Sequence, residues 1–114
     1  WNERDAAALV ELFHPDMVEW VITIGEEAEK YLAPAAHANG CQVKSFASAV
    51  QAGAFAHSVL DKDALVLVKG SQGGGYAEEA VKILLLDQSD VTKLVRQSPA
   101  WMATKEAFFE RNLV

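Results

Sequence analysis

The chain has 114 residues, 51% of them hydrophobic and 23% charged, which is the size and make-up of one compact domain with an ample apolar core. A chain this long buries roughly two-thirds of its unfolded surface and needs neither disulfides nor a structural metal to fold. Ten Lys and Arg against 16 Asp and Glu leave a net charge of −6, and a surface that repels phosphates argues against nucleic acid or an anionic membrane as the main partner.

The chain opens on Trp1-Asn2-Glu3-Arg4-Asp5, without an initiator Met or the basic-then-apolar profile of a signal peptide, and reads as a piece of a longer protein. Asp5 to Phe13 places Ala6, Leu9, Val10 and Phe13 on one helical face. His14-Pro15-Asp16 stops that helix, because the residue before a proline avoids the helical region. Val18 to Ile24 (VEWVITI) is β-branched and almost wholly apolar up to Gly25, the profile of a strand covered on both faces. Glu26 to Ala38 returns to helical spacing through Ala28, Tyr31, Leu32 and Ala35. Glu26, Glu27 and Glu29 suit the positive end of its dipole, and Asn39-Gly40 closes it. Cys41 to Phe46 (CQVKSF) is a weaker strand nearer a sheet edge, since Gln42 and Lys44 alternate with apolar residues. Cys41 is the only cysteine, so no internal disulfide can form and a reducing cytoplasm is the expected home.

Ser48 to Leu60 is alanine-rich and helical, with Val50, Ala54 and His57 or Ser58 marking its length, and Asp61-Lys62-Asp63 is a solvated turn. Ala64 to Val68 (ALVLV) reads as the most buried strand of the chain. It runs into Lys69-Gly70-Ser71-Gln72-Gly73-Gly74-Gly75 and then a helix from Tyr76 or Ala77 to about Leu86. Asp87 to Ser89 breaks that helix, and Ser89 or Asp90 caps a short segment ending near Arg96. Ser98-Pro99 starts a last helix, serine as cap and proline in the first turn, which carries Trp101, Phe108 and Phe109. Strands separated by helix-length crossovers predict parallel pairing and right-handed connections. The expectation is a three-layer α/β sandwich with a parallel sheet, in one domain. A helix with no strand before it implies that part of the sheet lies upstream. No apolar run approaches the ~20 residues that span a bilayer.

Chemistry is best sought in Leu67 to Lys82, LVKGSQGGGYAEEAVK. Here a strand ends, its C-terminal edge opens into a glycine-rich loop, and a helix follows; in open α/β sheets ligands sit at that edge. Lys69 brings a positive charge, Ser71 a hydroxyl, and the glycines let a ligand approach the backbone, which suits a phosphate or a carboxylate. KGSQGGG has neither the G-x-x-x-x-G-K-[ST] nor the G-x-G-x-x-G spacing, and a plain strand-to-helix turn with a solvated lysine fits the same residues.

Leu67-Val68-Lys69-Gly70-Ser71, followed after the glycines by Glu78-Glu79-Ala80-Val81, resembles the C-terminal domain of the Mur ligases. Within them it is most similar to the UDP-N-acetylmuramoyl-tripeptide:D-alanyl-D-alanine ligase group. Val21-Ile22-Thr23-Ile24-Gly25-Glu26-Glu27-Ala28 resembles that family's strand and V-G-E turn, and Leu94-Val95-Arg96-Gln97-Ser98 with Trp101 is similar to the tail of a subgroup. The resemblance implies a Rossmann-like domain that closes over a central ATPase domain holding ATP and Mg²⁺. The parent would be an ADP-forming ligase that activates a carboxylate as an acyl phosphate and joins it to the amine of an amino acid or dipeptide. Closure excludes water and orients the amine. Carried over by position, Lys69, Gly70 and Ser71 face the cleft and Glu78 recognises the amino-acid substrate, with Glu79 competing for that role. The chain lacks the family's G-x-x-G-K-[ST] loop and its D-x-Y-N-A-N-P stretch, so catalysis by this chain alone is not expected. The alternative is a non-catalytic α/β module that binds a small anion or a protein partner.

Other residues read as structural. His14, His37 and His57 lie far apart with no carboxylate or cysteine at metal-ligand spacing. Cys41 reads as a small buried apolar residue, and the glutamates at 26, 27 and 29 as a solvated helical turn. Trp101, Lys105 and Phe108 share helical spacing and predict a packing face. Arg96, just before a break, is placed either to reach an anion or to dock a neighbouring domain.

Overall fold

The computed structural model describes residues 3–61, 63–70 and 75–112. It is an α/β structure whose chain divides into two compact units, the first running to Phe46 and the second starting at Ala47.

In the first unit, helix α1 (Glu3–Val10) is followed by strand β1 (Trp20–Ile24), helices α2 (Glu26–Tyr31) and α3 (Ala33–Ala38), and strand β2 (Gln42–Phe46). The strands pair in parallel, in register from Trp20 opposite Gln42 to Ile24 opposite Phe46, as the helix-length crossover between them predicts. Thr23 Oγ1 donates to Ser45 Oγ across the pair at 2.7 Å. Beyond the last pair, the Gly25 amide donates to the Phe46 carbonyl at 2.9 Å while Gly25 takes φ +91°, a turn that suits a residue without Cβ.

Two packing clusters hold this unit. Ala28 and Leu32 are buried against Leu9, Val10, Phe13 and Tyr31. Val21, Ala36 and Cys41 are buried against Phe13, Val18 and Val43. Phe13 therefore belongs to both clusters. Full burial of a side chain such as Val21 contributes about 1.5–3 kcal/mol.

The helix expected over 26–38 is two helices. Pro34 has no N–H to give to a carbonyl one turn back, and its ring crowds that carbonyl, so the chain re-initiates with proline in the first turn of α3. Asn39-Gly40 closes α3 as expected, with Gly40 at φ +93° and its amide on the His37 carbonyl at 3.0 Å. Helix α1 stops at Val10, short of the predicted Phe13; the amides of Leu12 and Phe13 close tighter turns onto Leu9 and Val10.

The second unit contains α4 (Ala49–Val59), α5 (Glu78–Leu84), a 3₁₀ turn (Gln88–Lys93) and α6 (Pro99–Asn112). Ser48 caps α4, its side chain accepting from the Gln51 amide at 3.3 Å. Ala49, Ala52, Gly53 and Ala56 form the buried small-residue face of α4, and α5 lies so close that a Cβ at Gly53 would stand 2.9 Å from the Ala80 Cα. The 3₁₀ turn is capped by Asp87, two or three residues before the expected Ser89 or Asp90. Hydrogen bonds from the Ser89 hydroxyl and amide hold its carboxyl below the ordinary range. Ser98 caps α6 through the Trp101 amide, with Pro99 in the first turn, as predicted.

The largest correction concerns Ala64 to Val68. These residues form no strand, and the run expected to be the most buried is exposed, with Leu65 at 100% and Leu67 at 90%. The described residues therefore hold a two-stranded parallel sheet in place of the three-stranded, three-layer sandwich expected. A strand needs a neighbouring edge for its amides and carbonyls as well as an apolar sequence, and no pairing partner takes up this run among the described residues. No helix among them is long and apolar enough to cross a membrane.

Candidate functional site

Tyr76 and Arg96 are the non-glycine residues with positive φ among those described, at +55° and +54°. Side chains of this bulk rarely adopt that region, and where they do the surrounding contacts hold them there. Those contacts form one charged cluster at the start of α5.

Glu78 and Glu79 occupy the first turn of α5, and both are buried. The Arg96 guanidinium grips Glu78 with two bonds, Nε to Oε1 at 2.7 Å and Nη2 to Oε2 at 3.1 Å. Such fork-to-fork pairing fixes both planes. Lys105, reaching in from α6 and only 1% exposed, places Nζ 3.1 Å from Glu78 Oε1 and 3.0 Å from Glu79 Oε2, and donates to the Arg96 carbonyl at 2.6 Å. Gln97 Nε2 donates to Glu79 Oε2 at 2.9 Å, and Lys82 Nζ to Glu79 Oε1 at 3.0 Å. Two carboxylates thus meet three cations. The Lys105 ammonium also lies 5.8 Å from the centre of the Tyr76 ring, which sits edge-to-face against Phe108, with centroids 5.2 Å apart, and against Trp101 and Phe109.

The electrostatics follow from these contacts. Burial pushes the Glu78 carboxyl up, but the Arg96 hydrogen bonds, a backbone hydrogen bond and Lys105 outweigh it and leave the group below its ordinary range. Burial likewise opposes, and the bonds from Gln97, Lys82 and Lys105 win, at Glu79. The Glu78 hydrogen bond holds the Arg96 guanidinium protonated even more firmly than usual.

Beside the cluster lies an open recess of about 220 Å³ lined by Val68, Gly70, Ala77, Glu78, Val81 and Arg96. Of the residues singled out in the sequence, Gly70, Glu78 and Arg96 come together here. Lys69 is exposed and is not among the lining residues. It does not end a buried strand as expected. Ser71 lies outside the described residues. Glu78 lines the recess with both oxygens engaged, Oε1 by Arg96 and Lys105 and Oε2 by Arg96. Glu79, the competing residue, is as fully engaged by Lys82, Gln97 and Lys105. Arg96 is the residue with capacity left: its N–H groups other than those given to Glu78 have no partner among the described residues.

Lys105 and Gln97 carry roles that the sequence reading missed. A signal was present, because Lys105 stands in the stripe Trp101-Lys105-Phe108, and a cation inside an apolar stripe implies a buried anionic partner. That stripe packs, as expected, but on Tyr76. His14, His37 and His57 are exposed, Cys41 is buried, and no group of three or more His, Cys, Asp or Glu that could hold a metal ion occurs among the described residues. Comparison of the chain with protein-family models, curated proteins and solved structures returns no match in any of the three.

Proposed function

We propose that this chain is the closing, substrate-binding domain of an ADP-forming amide ligase of the Mur type, acting in cell-wall peptide synthesis in a reducing cytoplasm. The observation that supports the reading best is the recess where Gly70 of the LVKGS segment, Glu78 of the following helix and Arg96 of the LVRQS segment meet. Its residues come from the two stretches that carry the resemblance and are distant in sequence. In this reading β1 and β2 belong to a larger Rossmann-like sheet.

The division of labour follows from chemistry. The central ATPase domain of the parent holds ATP and Mg²⁺ and supplies the acyl phosphate. Arg96 binds the carboxylate of an incoming amino acid or dipeptide through its remaining N–H groups, and Glu78 acts as a positioning residue that fixes the guanidinium plane. The resemblance assigns Lys69, Gly70 and Ser71 to the cleft that would receive the acyl phosphate. The amine attacks its carbonyl carbon and phosphate leaves, while domain closure keeps water out.

The test is Lys69→Ala in the full-length parent. The lysine is exposed, so stability should change by no more than about 0.5 kcal/mol. Loss of a charge facing an anionic intermediate should cost about 2–4 kcal/mol in the ligation rate. A rate within about threefold of wild type, under 1 kcal/mol, makes Lys69 a bystander and sinks the substrate reading of the loop.

A second reading, a non-catalytic module that binds a small anion or a protein partner, is favoured by the exposed apolar run at 64–68. The parent reading frame separates the two. A G-x-x-G-K-[ST] loop roughly one domain-length upstream supports the ligase, and a start codon near Trp1 supports the module.

A further inference from the structure

Arg96 meets Glu78 through Nε and one N–H of Nη2. The N–H groups left over include a parallel pair, one on Nη1 and one on Nη2, which forms a second fork of the shape a carboxylate fits. No buried side-chain nitrogen lacks a partner among the described residues. The unpaired Nη1 is therefore reached from outside, beside the recess that Arg96 lines. An arginine already forked onto a glutamate is by itself a poor anion receptor, because the pair is neutral and the glutamate repels what approaches.

Lys105 changes that balance. Its ammonium, on a residue only 1% exposed, stands 3.1 Å from Glu78 Oε1 and 3.0 Å from Glu79 Oε2. With Lys82 on Glu79 and Arg96 on Glu78, three cations face two carboxylates, and one positive charge is left over. Without Lys105 the group would be neutral. The same ammonium donates to the Arg96 carbonyl at 2.6 Å and so helps hold the left-handed backbone, φ +54°, that sets the guanidinium in place.

We propose that Lys105 makes the recess a receptor for a singly charged carboxylate with a compact apolar substituent. It does so as a positioning residue, acting through Glu78 and Arg96 without touching the ligand. One leftover charge matches one carboxylate, whereas a dianion would leave negative charge unmatched in a partly desolvated place. The walls agree. Besides Glu78 and Arg96 the recess is lined by Val68, Gly70, Ala77 and Val81, which offer apolar contact and no second cationic side chain for the further oxygens of a sulfate or phosphate. The inference rests on the carboxylate role given to Arg96 above but not on ligation, since a non-catalytic anion-binding module would carry the same receptor.

Titration of the ¹⁵N-labelled chain with isobutyrate, an ionised carboxylate at about pH 7, tests it at the Arg96 Nε–H and the Gly70 and Ala77 amides. The expected result is a saturable shift with Kd of about 1–10 mM, the strength of one charged fork with modest apolar contact. Sulfate at matched ionic strength should bind at least about tenfold more weakly. Lys105→Met should weaken isobutyrate about tenfold. Because that variant also loses stability, Glu79→Gln tests the same charge count from the other side. Glu79 does not line the recess, and its neutralisation leaves a second positive charge, which a dianion feels twice as strongly as a monoanion. The preference for isobutyrate over sulfate should then shrink at least about threefold; a merely structural role would weaken both ions alike. Circular dichroism checks that each variant is folded. No saturable shift with isobutyrate overturns the inference together with the carboxylate role of Arg96. Isobutyrate binding with no preference over sulfate overturns the inference alone and leaves that role standing. So does a preference unmoved by Glu79→Gln, or a folded Lys105→Met that binds as wild type does.

Discussion

Lys105 is a long cationic side chain with almost no contact with water, and it is held there by two carboxylates and a carbonyl. Breaking a buried charge pair from one side costs more than the pair contributes, because the remaining charge is left in a poorly solvated place. Lys105→Met keeps the stem and removes the ammonium. It should therefore lower the stability of the second unit by about 3–5 kcal/mol, read from the urea midpoint of Trp101 fluorescence. Exposed Lys69 serves as the control. The same cluster sets an acid limit. Glu78 and Glu79 have folded-state pKa values below the ordinary value of 4.5. Their contribution is in place above that pH and is lost as pH falls through the lowered values. Urea midpoints taken from pH 7 down to pH 3 should fall steeply below about 4.5. A Glu78→Gln/Glu79→Gln double variant should be weaker at pH 7 and flatter in acid; an acid limb as steep as wild type would place the titrating groups elsewhere.

The contact between α4 and α5 turns on one missing methyl group. Alanine at position 53 would favour the helix by about 1 kcal/mol on propensity alone. Its Cβ, however, would stand 2.9 Å from the Ala80 Cα and 3.0 Å from the Ala80 carbonyl oxygen and the Ile83 Cδ1, and two of those atoms are backbone. The overpacking term of about 1–3 kcal/mol should win, so Gly53→Ala lowers the thermal midpoint; a rise would mean that α5 shifts freely. Ser48→Ala, which removes the cap of the same helix, should cost about 1 kcal/mol. The sequence reading marks this helix by Val50, Ala54 and His57 or Ser58, which are exposed, and passes over the small residues Ala49, Ala52, Gly53 and Ala56 that form the close contact. Strand β1 was legible from its apolar run ending at Gly25, and β2 more weakly, from the alternation of Gln42 and Lys44 with apolar residues after Gly40. The apolar run at 64–68 carried the same local signal and misled, because burial depends on what a segment meets and composition reports only what it prefers. Pro34 was legible too, but helical spacing continued through it and masked the break.

For the chain as a whole, the sequence put Gly70 and Glu78 in one candidate substrate site and left Arg96 apart, as a residue to reach an anion or dock a neighbouring domain. The link is the fork from Arg96 to Glu78, eighteen residues apart, and no periodicity encodes a pairing between a helix start and a left-handed turn. What the whole sequence does encode is charge and the lack of a phosphate-binding loop, and these bear on nucleotide. A net charge of −6 repels a polyphosphate at long range, and KGSQGGG lacks the spacing that wraps backbone amides around phosphates with a lysine behind them. Helix α5, which follows that loop, opens on two buried glutamates whose charge is already taken up by Arg96, Lys82 and Lys105, so what disfavours nucleotide is net charge and loop spacing. The two effects act in the same direction. The chain alone should show no heat of binding with Mg-ATP at about 1 mM, a concentration at which even a 4 kcal/mol site would be half filled. Lowering the salt should not rescue it, because the long-range term is repulsive and screening works in its favour. Calorimetry that found micromolar binding would assign the glycine loop a nucleotide of its own and would remove the reason for placing ATP in a separate central domain.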